Sequence, residues 1–236
     1  MICVVTEPID LANYIDVFNL KNRYPAERVC HVSWGDLSGI IPTETLYLLA
    51  HGSPSSIEKM NAATLAKLLV SRGLKKPLKK IKLLVCSSGV YEGDSGGKIV
   101  PFCQQLADAL LAEKGPATVV VGFDGKTAVT DDKGRTFAKD KRQKDFPNWS
   151  EFTTKHQTDF IKLDAQAEEL PYGDEKTIIA NANFLQRQSK DLFDWLYANN
   201  KLYTLPSAVG KTYGIPGQQI DARPFRSSAG RPHEES

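Results

Sequence analysis

Apolar residues along the chain fall into two alternating kinds of stretch, short unbroken runs and longer segments with helical spacing, and that alternation predicts an α/β fold. Ile2 to Val5 is a strand-like run, after which Pro8 and Asp10 open a helical pattern with Leu11, Ile15, Phe18 and Leu20 on one side. Arg28 to Ser33 reads as a second strand. The run Leu46-Tyr-Leu-Leu-Ala predicts a third, and Asn61 then caps a helix carrying Leu65, Leu68 and Leu69 that Gly73 ends. Ile81-Lys-Leu-Leu-Val predicts a fourth strand. Beyond a glycine-rich loop, Gly93-Asp-Ser-Gly-Gly97, a helix from about Ile99 to Glu113 is expected to bury Val100, Cys103, Leu106, Leu110 and Leu111. Thr118-Val-Val-Val121 predicts a fifth strand, and Asp131-Asp-Lys-Gly134 is a hairpin-turn signal. The order β-α-β-β-α-β-α-β implies a mostly parallel central sheet with helices on both faces, plus a β-hairpin flap.

Past about Lys139 the pattern weakens to a polar, basic stretch and short apolar pieces. A C-terminal helix is expected from about Asn181 to Asn199, with Phe184, Leu185, Leu192, Trp195 and Leu196. Proline, glycine and serine dominate from Pro206. The expected organisation is one domain over 1–204 and a coil tail over 205–236 that is no separate domain.

Composition narrows the function classes. At 236 residues and 41% hydrophobic the chain can bury one sizeable core. A net charge of +2 gives no global drive toward nucleic acid or membrane, so any basic site must be local. Cys3, Cys30, Cys86 and Cys103 contain no C-x-x-C, which favours a reducing compartment over a disulfide scaffold. No apolar stretch approaches a membrane span, and the N-terminus lacks the basic-then-apolar pattern of a secretory signal, so a soluble protein is expected. The oligomeric state is not readable from the chain.

The third and fourth strands each end in a candidate catalytic group: His51, followed by Gly52, and 35 positions later Cys86, followed by Ser-Ser-Gly89. Open α/β sheets carry their sites at the carboxyl ends of strands. Residues ending adjacent strands lie about 5 Å apart, close enough for an imidazole to meet a thiol or to act across a bound carbonyl. A thiol near an imidazolium needs little further activation, and the Gly52 and Cys86 N–H groups are placed to hold an oxyanion. Taken singly, a His-Gly at a strand end is more often a turn, and a cysteine more often packing. Placed together on consecutive strands, they mark a candidate cysteine peptidase.

This ordered set resembles the caspase-like cysteine peptidases, in which a His-Gly ends the third strand and the catalytic cysteine the fourth. The likeness is greatest to the autoprocessing protease domains of large bacterial toxins, and it spans roughly residues 1–145, including the Asp-x-x-Gly-Arg135 hairpin. The resemblance implies Cys86 as nucleophile, His51 as general acid and base, and Gly52 as oxyanion donor. It also implies an acid near the end of the first strand to orient the histidine, for which Glu7 is the first choice and Asp10 the second. The toxin domains are activated by inositol hexakisphosphate bound among basic residues around the hairpin. Here Lys133, Arg135, Lys139, Lys141, Arg142 and Lys144 form a comparable run, with Arg135, Lys139, Lys141 and Arg142 as the expected ligands. The implied substrate is a protein or peptide, cut in this chain's own tail or loops or in a partner, with leucine suggested before the cut. The implied setting is the cytosol, the host's if the chain is a delivered toxin or effector.

Other readings are weaker. A non-catalytic interaction module that kept this fold would leave Cys86 as unreactive as Cys103. An α/β hydrolase would need a G-x-S-x-G elbow, which is missing. Ser207-Ala-Val-Gly-Lys-Thr212 ends like a phosphate-binding loop, but Leu205 stands where its first glycine belongs. Glu92 occupies the position an arginine would fill in a phosphocysteine phosphatase loop. His31 and His156 share no metal-ligand spacing, so no metal site is expected. The lysines of Lys75-Lys-Pro-Leu-Lys-Lys80 are expected on a loop at the far end of the sheet.

Overall fold

A computed structural model describes residues 1–90, 99–123, 126–127, 138–139, 149–192 and 211–217. β1 (Ile2–Val4), β2 (Val29–His31), β3 (Thr45–Leu49), β4 (Lys80–Leu84) and β5 (Val120–Phe123) pair in parallel, in the spatial order β2-β1-β3-β4-β5. These are the five strands the apolar runs predict. They are joined by α1 (Leu11–Arg23) between β1 and β2, α2 (Ala62–Ser71) between β3 and β4, and α3 (Phe102–Ala112) between β4 and β5.

Strand alternation divides the core in two. Cys3, Leu46, Leu48, Ile81, Leu83, Val85 and Val120 face α2 and α3, where they meet Leu65, Leu69, Phe102, Leu106 and Leu110. On the other face, Ile2, Val4, Tyr47, Leu49, Leu84 and Phe123 pack with α1 residues Leu11, Tyr14, Ile15 and Leu20. Each of these five strands therefore puts buried side chains on both faces, which is why the runs are largely continuous rather than alternating.

Helix starts follow the capping signals. Asp10 accepts the Asn13 N–H at the head of α1, and Asn61 accepts the Thr64 N–H at the head of α2. α3 is shorter than expected: it starts at Phe102 behind Pro101, leaving Val100 51% exposed, and Leu111 is 46% exposed on its outer side. Neither belongs to the core.

Two helices follow in the region where the pattern weakens. The expectation of short apolar pieces is corrected by α4 (Trp149–Glu168), a 20-residue helix. α5 (Glu175–Gln188) begins before the expected Asn181, capped by Asp174 on the Thr177 N–H, and Ser189 ends it. Both lie against the α1 face of the sheet, through Ala167, Ile178, Ala182 and Leu185. Trp195 and Leu196 lie outside the described residues.

The short hairpin strands β6 (Lys126–Thr127) and β7 (Ala138–Lys139) pair antiparallel, while the turn Asp131–Gly134 lies outside the described residues. The tail expectation also needs correction. β8 (Lys211–Gly214) joins the sheet antiparallel to β5, with Val121 opposite Tyr213, so the domain extends beyond residue 204. The buried side chain of Gln104 locks this strand down like a backbone: Oε1 accepts the Ile215 N–H at 3.0 Å and Nε2 donates to the Ile215 carbonyl at 2.9 Å.

Candidate active site

The chain runs outward from β1 in both directions, to β2 on one side and β3 on the other. The carboxyl ends of β1 and β3 thus form a topological switch point, where an open α/β sheet leaves a crevice. Thr6 and Asp10 follow β1 at this crevice, and His51 follows β3.

β3 and β4 end in register, with Leu49 opposite Leu84. Two residues beyond each lie His51 and Cys86. His51 is exposed and Cys86 half-buried, whereas Cys3, Cys30 and Cys103 are buried; none of the four forms a disulfide. The structure thus brings the two candidate groups to matched positions on neighbouring strands.

The His51 ring is held through Nε2 by the carboxylate Oδ2 of Asp10, which is buried behind it. Burial works against the Asp10 charge, but the bond to His51 and the bonds from Asn13 outweigh it and leave the carboxyl below its ordinary value. His51 is shifted upward, chiefly by that same bond, against a smaller opposing effect of burial and with help from the Glu58 and Asp164 charges. The imidazolium form is therefore favoured beyond the usual histidine range.

Glu7, the first choice for this acid, is engaged elsewhere. Its Oε2 accepts from the Ser33 hydroxyl at 3.2 Å and its Oε1 from the Tyr172 hydroxyl at 3.0 Å, on the β2 side of the crevice. Asp10 takes the role because, as the N-cap of α1, its short side chain is anchored at the head of the helix beside β3.

Four residues that sequence reasoning missed complete the surroundings of His51. Asn13 Nδ2 donates to Asp10 Oδ1 at 2.8 Å and to Thr6 Oγ1 at 3.0 Å. The Thr6 hydroxyl donates to Glu58 Oε1 at 2.7 Å, and the same oxygen accepts the His51 backbone N–H at 2.6 Å. Asp164 of α4 accepts the Leu11 N–H at 3.0 Å, and burial raises its carboxyl. The Asp10-x-x-Asn13 capping spacing was the one local signal for this set.

Gly52 is required by close approach: a Cβ there would lie 2.3 Å from Val85 Cγ1 and 2.9 Å from the Ser56 carbonyl. The bonds that fold residues 51–58 back run from Ser53 N–H to Ser56 and from Glu58 N–H to His51, so this small hairpin does not consume the Gly52 N–H.

The turn that carries Cys86 is clamped from behind. Ser87 adopts a left-handed conformation with φ 56°. The buried Ser88 hydroxyl donates to the Val85 carbonyl at 3.0 Å and accepts the Phe123 N–H at 3.2 Å, while the Cys103 N–H in the first turn of α3 donates to the Ser88 carbonyl at 2.9 Å. Gly122 lets β5 come this close, since a Cβ there would lie 2.7 Å from the Ser88 carbonyl group. The nucleophile candidate thus sits on a turn braced by β5 and α3.

His31, at the end of β2, has the bland role. It is buried, its Nδ1 accepts the Ser33 N–H and its Nε2 donates to the Thr6 carbonyl at 3.0 Å, and burial lowers its pKa, so it stands neutral. Of the expected inositol phosphate ligands, Arg135, Lys141 and Arg142 lie outside the described residues, and Lys139 is placed only by its backbone in β7. Among the described residues no helix is long and apolar enough to cross a membrane. No protein-family model matches the chain, and no curated protein matches it.

Proposed function

We propose that this chain is a caspase-like cysteine endopeptidase with Cys86 as nucleophile and His51 as general acid and base. The observation that carries this reading is the register: His51 and Cys86 each stand two residues past the paired Leu49 and Leu84, with the His51 ring tied to a buried carboxylate. With Nε2 occupied by Asp10, Nδ1 is the ring nitrogen that exchanges the proton. The imidazole, oriented by Asp10, takes the thiol proton as the substrate binds. The thiolate attacks the scissile carbonyl, and the oxyanion is held by the N–H groups of Gly52 and Cys86. Nδ1 then gives its proton to the leaving amine, and water, deprotonated by the same nitrogen, hydrolyses the thioester to restore the thiol.

The substrate is a protein or peptide, and its side chain before the cut would be read by the loops after Cys86 and after β5. Inositol hexakisphosphate is the proposed allosteric activator, through Arg135, Lys139, Lys141 and Arg142, in the manner of the bacterial toxin domains. Action in a reducing cytosol suits a reaction that runs through a reduced thiol.

Incubating wild type and Cys86→Ala with a mixed peptide library, with and without inositol hexakisphosphate, tests this by mass spectrometry of new peptide termini. Wild type is expected to generate new termini and Cys86→Ala none, with turnover raised by the polyphosphate. Absence of new termini under both conditions would overturn the peptidase reading in favour of an interaction module.

A further inference from the structure

Behind the ring bond of His51 stands a second, backbone-directed support. Residues 57–60 close a two-residue hairpin turn, with Ile57 N–H bonded to the Met60 carbonyl at 2.9 Å and Met60 N–H to the Ile57 carbonyl at 2.8 Å. Its central residues, Glu58 and Lys59, have φ 47° and 63°. Turns of this hand select glycine or asparagine because a side chain is strained there. Here a glutamate and a lysine occupy both strained positions, and backbone strain of this kind collects at functional sites.

The Glu58 side chain shows what the strained turn supports. One carboxylate oxygen takes both the His51 N–H and the Thr6 hydroxyl. From Thr6 the bonds continue through Asn13 Nδ2 to Asp10 Oδ1, and Asp10 Oδ2 returns to the His51 ring. The bonds close a ring that starts at the His51 backbone and ends at its imidazole, through Glu58, Thr6, Asn13 and Asp10. Each member is fixed by the next, so the main chain and the ring of His51 are set by one network.

We propose that Glu58 is a positioning residue for His51, its carboxylate held by a strained turn so as to fix the His51 backbone and, through Thr6 and Asn13, the orientation of Asp10. This rests on the peptidase reading for its catalytic meaning, but the coupling between Glu58 and His51 is independent of it. The charged groups facing His51 are Asp10 from the head of α1, Glu58 from the hairpin and Asp164 from α4. Removing Glu58 therefore takes away one of three negative charges along with the backbone anchor.

The strain makes a purely structural role separable. Glu58→Gly relieves the left-handed conformation, so the melting temperature is expected to hold or rise. The His51 titration midpoint, read by NMR of the ring protons, is expected to fall. Alkylation of Cys86 by iodoacetamide at neutral pH is expected to slow roughly 10- to 100-fold, the scale of a misplaced catalytic group. Glu58→Gln keeps an acceptor for the His51 N–H without the charge: alkylation should largely recover while the midpoint stays below wild type. Lys59→Gly relieves the same turn and should leave both readouts at wild-type values. Unchanged midpoint and alkylation in a folded Glu58→Gly would overturn the proposal, as would losses in both Glu58 variants that merely follow a lowered melting temperature. If the peptidase reading fails instead, alkylation will be equal in wild type and His51→Ala, and the midpoint shift in Glu58→Gly still decides the role of Glu58.

Discussion

Asp10 divides its work between two oxygens. Oδ1 caps α1 by accepting the Asn13 N–H at 2.8 Å, and Oδ2 holds the His51 ring. Asparagine caps helices as well as aspartate does, so Asp10→Asn should keep α1 and remove only the charge. The His51 midpoint should then fall, as NMR titration would record. The stability effect has a definite sign. Because the folded His51 value is raised, its contribution is complete below the unfolded histidine value of 6.5 and is lost as pH rises through the folded one; because Asp10 is lowered, its contribution is present above 3.8 and lost as pH falls through its folded value. The stability difference between wild type and Asp10→Asn should therefore be widest at mildly acidic pH, about 5 to 6, and shrink in denaturant titrations as pH rises through the folded His51 value. A difference that grows with pH would contradict the pairing. Glu7 was the nearer candidate by position, and what decides between the two acids is where the chain turns after Pro8, which depends on contacts from Ser33 and Tyr172 far along the sequence. Glu58 and Thr6 were illegible for the same reason: 52 positions separate these bonded partners.

Elements were legible where the pattern was strong. Five buried strands and α1 and α2 carry unbroken runs or a capped apolar stripe, and their places follow from them. α4 was missed because apolar burial is sparse among its described side chains: Ala167 is buried, and Phe160 and Leu163 only partly. β8 was missed because Lys211-Thr-Tyr-Gly214 has no apolar run, and Tyr213 is 56% exposed. Its place in the sheet comes from β5 and from Gln104. Gln104→Ala removes both bonds to Ile215 and should cost about 1 to 3 kcal/mol of stability. Hydrogen exchange should show lost protection at residues 213–215 while β1 and β3 are unaffected. Uniform loss of protection across the sheet would mean that Gln104 supports the whole fold rather than this edge.

Across the whole molecule, strand order does what no single segment can. Placing β1 between β2 and β3 puts the head of α1 beside the end of β3, and so brings Asp10 to His51 across 41 positions of sequence. Register then puts His51 and Cys86 at matched positions, each two residues past the paired Leu49 and Leu84, and β5 and α3 brace the turn that carries Cys86. The pairing of a histidine with a cysteine at neighbouring strand ends was readable from two short strings; the acid and the bracing were not, because they arrive from other strands and from the loops between them. Labelling of Cys86 in preference to the buried Cys3, Cys30 and Cys103 would follow from exposure alone, so selectivity by itself is not a test. The direct measurement is the rate of Cys86 alkylation by iodoacetamide as a function of pH in wild type and His51→Ala. A thiolate stabilised by His51 predicts a rate at neutral pH that falls roughly tenfold or more in the variant, together with loss of the inflection that His51 imposes on the profile. Superimposable profiles for the two proteins would contradict it.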